Sequence, residues 1–386
     1  MRTLSDLRRV VRQLGDPKPP RAERLRTSRL AACYKCGPRF TPAGIKNIST
    51  TGVYLWTDIR PHVGDEVSLD FWETGGLECS LDLQLSIQAR VARLGADGIG
   101  LEFLLPQGMN KGLWELLLRN IVVLSQPRHV AELFRTLRTM LFLCRLCPCE
   151  ADEAIGLLSG RLPPDRTSIV ARIAIGAELL LAAKPESGSM RAHPRVVADI
   201  LFEGSWIPDE PTIQLWTGLL AASCSEDAPD DSNEIFAHLL GHFTPSQTRI
   251  LIRGCEWALS HPASAGNCLP PSIILGPREM VAVTDVYDLY RNATDLAHLY
   301  NLGLIENVFD FTSYRPADSF DITPSRLGVE LYKRCHGSRQ KLEPELFEDA
   351  QAHLANFLPA PRPDIESETP PSLFPHLTAR PKQEFT

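Results

Sequence analysis

A chain of 386 residues, 44% hydrophobic and 23% charged, is too long for one ordinary core and too apolar for a disordered protein, so two or three globular domains are expected. No run approaches the ~20 consecutive apolar residues that span a bilayer, and Met1–Asp16 lacks the apolar stretch of a secretory signal, so a cytoplasmic location is expected. The net charge of −7 divides unevenly: residues 1–30 carry nine Lys or Arg against Asp6, Asp16 and Glu23, a balance of +6 that leaves −13 for the rest, which points to an anionic partner near the arm and against broad coating of nucleic acid.

Residues 1–20 read as a basic leader, and residues 21–107 as a small β-domain. Six runs in that domain carry a strand pattern: RLAACYKC (29–36), GIKNIS (44–49), GVYLWT (52–57), DEVSLDFWE (65–73), CSLDLQLSIQARVARL (79–94) and GIGLEFL (98–104). In the fifth, Leu81, Leu83, Leu85, Ile87, Ala89 and Val91 share one face, and Ser80, Asp82, Gln84, Ser86, Gln88 and Arg90 the other. Period-two alternation with one wet face marks an antiparallel sheet. Gly64, Gly75–Gly76 and Gly95–Gly98 supply turns. Six short strands in so few residues predict a closed barrel, because closure removes exposed edges. The ten cysteines make no disulfide framework in a chain of this kind. Cys33 and Cys36 fall in a strand, where positions i and i+3 face opposite ways. Cys144, Cys147 and Cys149 end an apolar helix, where buried free cysteine is ordinary, so neither cluster is expected to hold zinc.

After Pro106 the apolar spacing changes to three and four, the helical period. Linking helices are expected over 108–150, broken at Pro127, and an α-helical domain over 151–269. There Asp209 is a plausible N-cap beside Pro211, Thr244–Pro245 opens a further helix, and Trp206 and Trp216 read as core residues. Over 270–337, helix TDVYDLYRNATDLAHLYNLGLIE (284–306), a hairpin VFDFTSYRPADSFDITP (308–324) and helix SRLGVELYKRCHG predict a winged-helix-like module. A further helix and a Pro-rich tail, expected to be disordered, complete 338–386. The fold class predicted is multidomain α+β.

The most informative stretch is IKNISTTGVYLW (45–56). Asn47 and Ser49, on alternate positions, project to one face of a strand, and Gly52 permits a turn without a Cβ penalty. The same spacing also suits a plain strand-to-strand turn. Arg29 just before the first strand, N-x-S-x-x-G at 47–52, VGDEVSLDF (63–71) and ARVARL…GIGLEF (89–103) together resemble the PilZ domain over about residues 21–107. That resemblance implies a receptor for cyclic di-GMP, bound through R-x-x-x-R and D/N-x-S-x-x-G elements. The implied ligand residues are Arg24, Arg26, Arg29, Asn47, Ser49 and Gly52. The chemistry suits them: arginine is a bidentate donor to phosphate and to guanine O6 and N7 and stacks on purines. The arginine element departs from the family pattern, because the position four before Arg29 is Leu25, flanked by Arg24 and Arg26. Losing one bidentate charged contact costs about 1.5–3 kcal/mol, roughly ten- to a hundredfold in affinity.

A fainter resemblance joins residues 150–337 to the Abi-alpha family of phage abortive-infection proteins. Its cues are the Leu-Trp helix at 210–222, the Thr244–Pro245 helix start and the LGLI…DITP segment. It brings no catalytic residues. No Walker A, G-x-S-x-G or G-x-G-x-x-G motif occurs, and no enzyme activity is expected. His238 and His242 have i, i+4 spacing. Leu239 stands where a zinc protease needs its glutamate, and Gly241 suggests that the helix is ending, so no metal is expected there. The acidic loop DAPDDSNE (227–234) fails the calcium-loop pattern. The candidate recognition helix NATDLAHLYNLG of the winged-helix-like part carries Asp295 and no Lys or Arg, and the wing only Arg315 beside Asp310, Asp318 and Asp321, so DNA is not the expected partner. The expected function is therefore a bacterial cyclic di-GMP receptor that signals through its helical region to an unknown protein partner. The alternative is a non-binding PilZ scaffold in an interaction protein, with phage defence as the role that the Abi-alpha resemblance implies.

Overall fold

The computed structural model describes residues 30–36, 39–73, 84–109, 111–123, 127–148, 163–183, 190–226, 231–261, 272–306, 319–338 and 343–355. The basic leader, Arg24, Arg26, Arg29, the Gly75–Gly76 turn, Cys149, most of the acidic loop and the Pro-rich tail lie outside them.

Six strands, β1 (Leu30–Cys36), β2 (Arg39–Ser49), β3 (Gly52–Trp56), β4 (Glu66–Glu73), β5 (Leu85–Leu94) and β6 (Gly98–Leu104), close into a barrel in the order β1-β2-β3-β6-β5-β4, every pair antiparallel. Alternation dictates the interior. Leu30, Ala32 and Tyr34 point inward from β1, Val67, Leu69 and Phe71 from β4, and Leu85, Ile87, Ala89 and Val91 from β5. Each fully buried aliphatic or aromatic chain contributes about 1.5–3 kcal/mol, enough to hold a strand whose other face is wet. Register slips between Ile45 and Asn47 and between Val91 and Arg93 mark two bulges. The first lets Ile45 and Ile48, three apart, both point inward. Cys33 faces out, and Cys36 packs toward the core, as the strand period requires.

Eleven helices follow among the described residues. Helix α1 (Lys111–Val123) closes one end of the barrel. Its Trp114, buried, stands edge-on to Phe103 at 5.5 Å, and Phe103 stands edge-on to Phe71 at 6.0 Å. Helix α2 (Pro127–Leu146) packs on β5 and on α3 (Pro164–Ala182). Arg138 of α2 reaches Glu178 of α3 at 2.5 Å, and Arg145 joins the same carboxylate. Cys144 and Cys147 are buried at the end of α2, and the Cys147 thiol donates to the Ala192 carbonyl at 3.5 Å.

Around α5 (Glu210–Ala222) gather α3, α4 (Pro194–Gly204), α6 (Glu234–Gly241) and α7 (Pro245–Ser260). Asp209 caps α5 through the Thr212 amide and hydroxyl. Thr244 and Gln247 form a reciprocal capping box on α7. Trp216 lies in the core. Trp206 does not: it is 58% exposed, with the Arg166 guanidinium 3.6 Å from its ring centroid. The helix ends at Gly204 and Trp206 follows it in a turn, so core periodicity no longer governs where its ring points.

The last region runs α7, β7 (Ile274–Leu275), α8 (Pro277–Thr284), α9 (Leu289–Asn301), β8 (Phe320–Asp321), α10 (Arg326–Cys335) and α11 (Pro344–Ala355). The single helix expected over 284–306 is two. Asp285 adopts a left-handed φ of 59° and stops α8, and Asp288 caps α9 through the Tyr290 and Arg291 amides. Residues 307–318 of the expected hairpin lie outside the described part. Its base is seen at the Ile305–Pro324 bridge and the bond from the Glu306 amide to the Thr323 carbonyl, while β8 pairs with β7. Asp295, read as a surface acid of α9, is buried. It accepts from Ser246 Oγ at 2.5 Å and Gln247 Nε2 at 2.9 Å, so it fastens α9 to the start of α7 instead of repelling phosphate.

Candidate ligand-binding face of the barrel

Asn47 and Ser49 lie on β2 with buried Ile48 between them, so both side chains take the outer side of the barrel wall. Asn47 stands opposite Tyr54, and Ser49 opposite Gly52. Ser49 Oγ donates to the Gly52 carbonyl at 3.1 Å and lies 3.4 Å from Thr51 Oγ1. The turn between them is held on both of its carbonyls. Trp114 Nε1 donates to the Thr50 carbonyl at 2.7 Å, and the Phe103 amide to the Thr51 carbonyl at 3.0 Å.

Gly52 has a different reason to be glycine than the one its turn position suggests. Its φ is not positive. A Cβ there would lie 2.1 Å from the Leu101 carbonyl oxygen of β6, so the constraint is close approach of two strands, not a bend.

Beyond Asn47 the outer face continues across three strands. Tyr54 of β3 pairs with Gly100 of β6, and Gly100 with Arg93 of β5. Bare Gly100 makes room for the Arg93 stem, and its guanidinium sits 5.4 Å from the Tyr54 ring centroid. From the other side Lys46 Nζ lies 5.2 Å from that ring. Asp97 gathers the group: its carboxylate accepts from Lys46 Nζ at 2.5 Å, Tyr54 Oη at 2.8 Å and Trp56 Nε1 at 3.2 Å. The Lys46 and Tyr54 hydrogen bonds hold the Asp97 carboxyl down at about 2, and the same bond to Asp97 raises the Tyr54 phenol. Trp56 is half exposed, its ring resting on Gly44.

The structure therefore brings Asn47, Ser49 and Gly52 together, while Arg24, Arg26 and Arg29 lie outside the described residues. β1 and β2 are antiparallel, so the start of β1 at Leu30 lies at the barrel end where β2 finishes with Asn47–Ser49. Lys46, Tyr54, Arg93 and Asp97 were not singled out from sequence. The signal was Gly100, an outward glycine inside a strand, which marks a place where another group approaches the backbone.

His238 and His242 belong to no common group of three or more possible metal ligands among the described residues. α6 ends at Gly241 and His242 is its C-cap. Among the described residues the group able to converge on a cation is instead Asp199, Glu234 and His238.

A closed six-stranded antiparallel barrel, carrying N-x-S-x-x-G where β2 turns into β3 and capped by a helix, defines the class of module. Residues 20–119 match the family model of the PilZ domain. The match takes in the arginines before β1, all six strands and the part of α1 that holds Trp114. No curated protein matches this chain. Among the described residues no helix is long and apolar enough to cross a membrane.

Proposed function

We propose that this chain is a bacterial, cytoplasmic receptor for cyclic di-GMP, without catalysis, that passes the binding event through its helical region to a protein partner. The observation that carries the reading is the joint placement of Asn47 and Ser49 on the outer wall of a barrel that matches the PilZ family. Both offer short uncharged groups to a guanine edge, and Arg24, Arg26 and Arg29 precede the strand that starts beside them. On this reading the arginines take phosphate and guanine, and bound phosphate draws residues 21–29 onto the wall. Lys46 and Arg93 add positive charge along the same face. The Thr50–Trp114 hydrogen bond supplies a route outward, because it ties the N-x-S-x-x-G turn to α1. Over 270–337 the order β7, α8, α9, Ile305 bridge, β8, α10 supports a winged-helix-like module. With Asp310 and Asp318 beside the single Arg315 in the wing and no Lys or Arg in residues 292–303, protein is the expected partner and DNA is not.

Two features favour a second reading, a barrel that no longer binds nucleotide and serves as a scaffold in an interaction protein, in keeping with the Abi-alpha resemblance. One is Leu25 where the family pattern has an arginine. The other is the Asp97 carboxylate standing on the candidate face. Calorimetric titration of the full chain with cyclic di-GMP separates the readings. The receptor requires saturable binding that Arg29→Ala and Ser49→Ala each weaken by about tenfold or more, the worth of one charged or bidentate contact. Absence of binding at high ligand would leave the scaffold.

A further inference from the structure

Helices α4 and α6 lie side by side and run in the same direction. Arg195 Nη2 meets Glu234 Oε1 at 2.7 Å, His238 Nε2 lies 4.0 Å from Asp199 Oδ2, and Glu203 lies against Gly241. Glu234 and His238 are i, i+4 on α6 and share its face toward α4. Asp199 reaches between them, and one ligand atom of each of the three lies within 4.8 Å of the others.

We propose that Asp199, Glu234 and His238 form a binding site for a divalent transition-metal ion of the zinc type, which clips α4 to α6. The set is not merely acidic. Its imidazole nitrogen biases it away from magnesium and calcium, which prefer all-oxygen surroundings, toward zinc, cobalt or nickel. Zinc binds nitrogen and carboxylate oxygen at about 2.0–2.2 Å, which sets tetrahedral ligand atoms about 3.3 Å apart. To close on such an ion the ligand atoms draw in from separations of no more than 4.8 Å. Their side chains are 32%, 20% and 36% exposed for Asp199, Glu234 and His238, reachable from solvent yet partly shielded from it. Three protein ligands leave one position for water.

The competitor is Arg195, the lysine or arginine side chain paired with these carboxylates among the described residues. At 68% exposure its bond to Glu234 is a surface ion pair, which contributes little and can yield. The two carboxylates carry negative charge that a dication offsets better than one exposed guanidinium does. The sequence alone predicts no metal at His238 and His242; the group proposed here takes Glu234 and His238 from α6 and its third ligand, Asp199, from α4.

The test is titration of the full chain with zinc, and separately with cobalt(II), whose visible spectrum distinguishes nitrogen–oxygen from thiolate ligation. The expected result is one saturable site with no sulfur-to-cobalt charge-transfer band. Asp199→Asn and His238→Gln should each weaken it by more than about tenfold, and Arg195→Ala should tighten it by freeing Glu234. Circular dichroism confirms that each variant is folded. The proposal is overturned if the wild-type chain binds no zinc. It is overturned equally if binding is unchanged in Asp199→Asn and His238→Gln, or if the cobalt spectrum is that of thiolate, which would move the metal to the cysteines.

Discussion

Asp97 carries the densest chemistry of any residue on the barrel surface, and its three donors come from two strands, β2 and β3. Lys46, foremost, and Tyr54 hold its folded-state carboxyl near 2, below the ordinary carboxylate value of 3.8. A depressed acid stabilises the fold only while it is ionised. Its contribution is therefore complete above pH ~4 and lost as pH falls toward 2. Asp97→Asn keeps an acceptor for Tyr54 but removes the charge. The melting temperature of the wild-type chain should exceed that of the variant near neutral pH, and the gap should close between pH 4 and pH 2. A gap constant across that window would show that the Lys46 contact contributes nothing through charge. Because the carboxylate is solvent-accessible, the effect should also shrink as salt is added.

At the scale of elements, strand pairing is what Gly52 protects. A Cβ 2.1 Å from the Leu101 carbonyl cannot be relieved by a rotamer change, since the obstacle is backbone, so β3 and β6 must part. Gly52→Ala should cost on the order of 1–3 kcal/mol, read as a lower denaturant midpoint. Its loss of ligand would then report barrel damage, and Ser49→Ala is the cleaner probe of recognition. The six strands were legible in advance because each has a wet face and a period of two, and Leu85, Ile87, Ala89 and Val91 stand inward as read. The bulges at Lys46 and Ala92 were not, because a register slip adds one residue without changing composition. Nor was the break between α8 and α9. Asp285 and Asp288 both fit a continuous amphipathic helix, and aspartate takes a left-handed φ at single positions that an amphipathic pattern does not mark. Of the candidate site, Asn47 and Ser49 were legible from spacing. Lys46, Tyr54, Arg93 and Asp97 were not, since they meet only across strands far apart in sequence. For the same reason Asp199 escaped notice while His238 did not, and Trp206 was read as core because hydrophobicity says nothing about a turn.

Over the whole molecule, the question is how an event on the barrel wall reaches the helical region beyond α1 and α2. The Thr50 carbonyl is the carbonyl between Ser49 and Thr51, and its partner is the indole of a buried residue on α1. α1 packs on α2, and α2 on both β5 and α3. A ligand that tightens the 49–52 turn must therefore tighten or shift α1, and by reciprocity any partner that moves α1 must alter ligand affinity. Trp114→Phe isolates the link: the ring still packs against Phe103, but the Thr50 carbonyl loses its donor, at a cost of about 1–3 kcal/mol. Ligand at a hundred times its dissociation constant adds about 2.7 kcal/mol of stability by mass action wherever binding is felt. Hydrogen exchange should therefore slow in the barrel and in α1 and α2 of the wild-type chain when cyclic di-GMP is added. In Trp114→Phe the slowing should be confined to the barrel, with affinity changed far less than in Ser49→Ala. Equal slowing of α1 in both proteins would mean that the signal travels by another path, most directly through the β5–α2 contact.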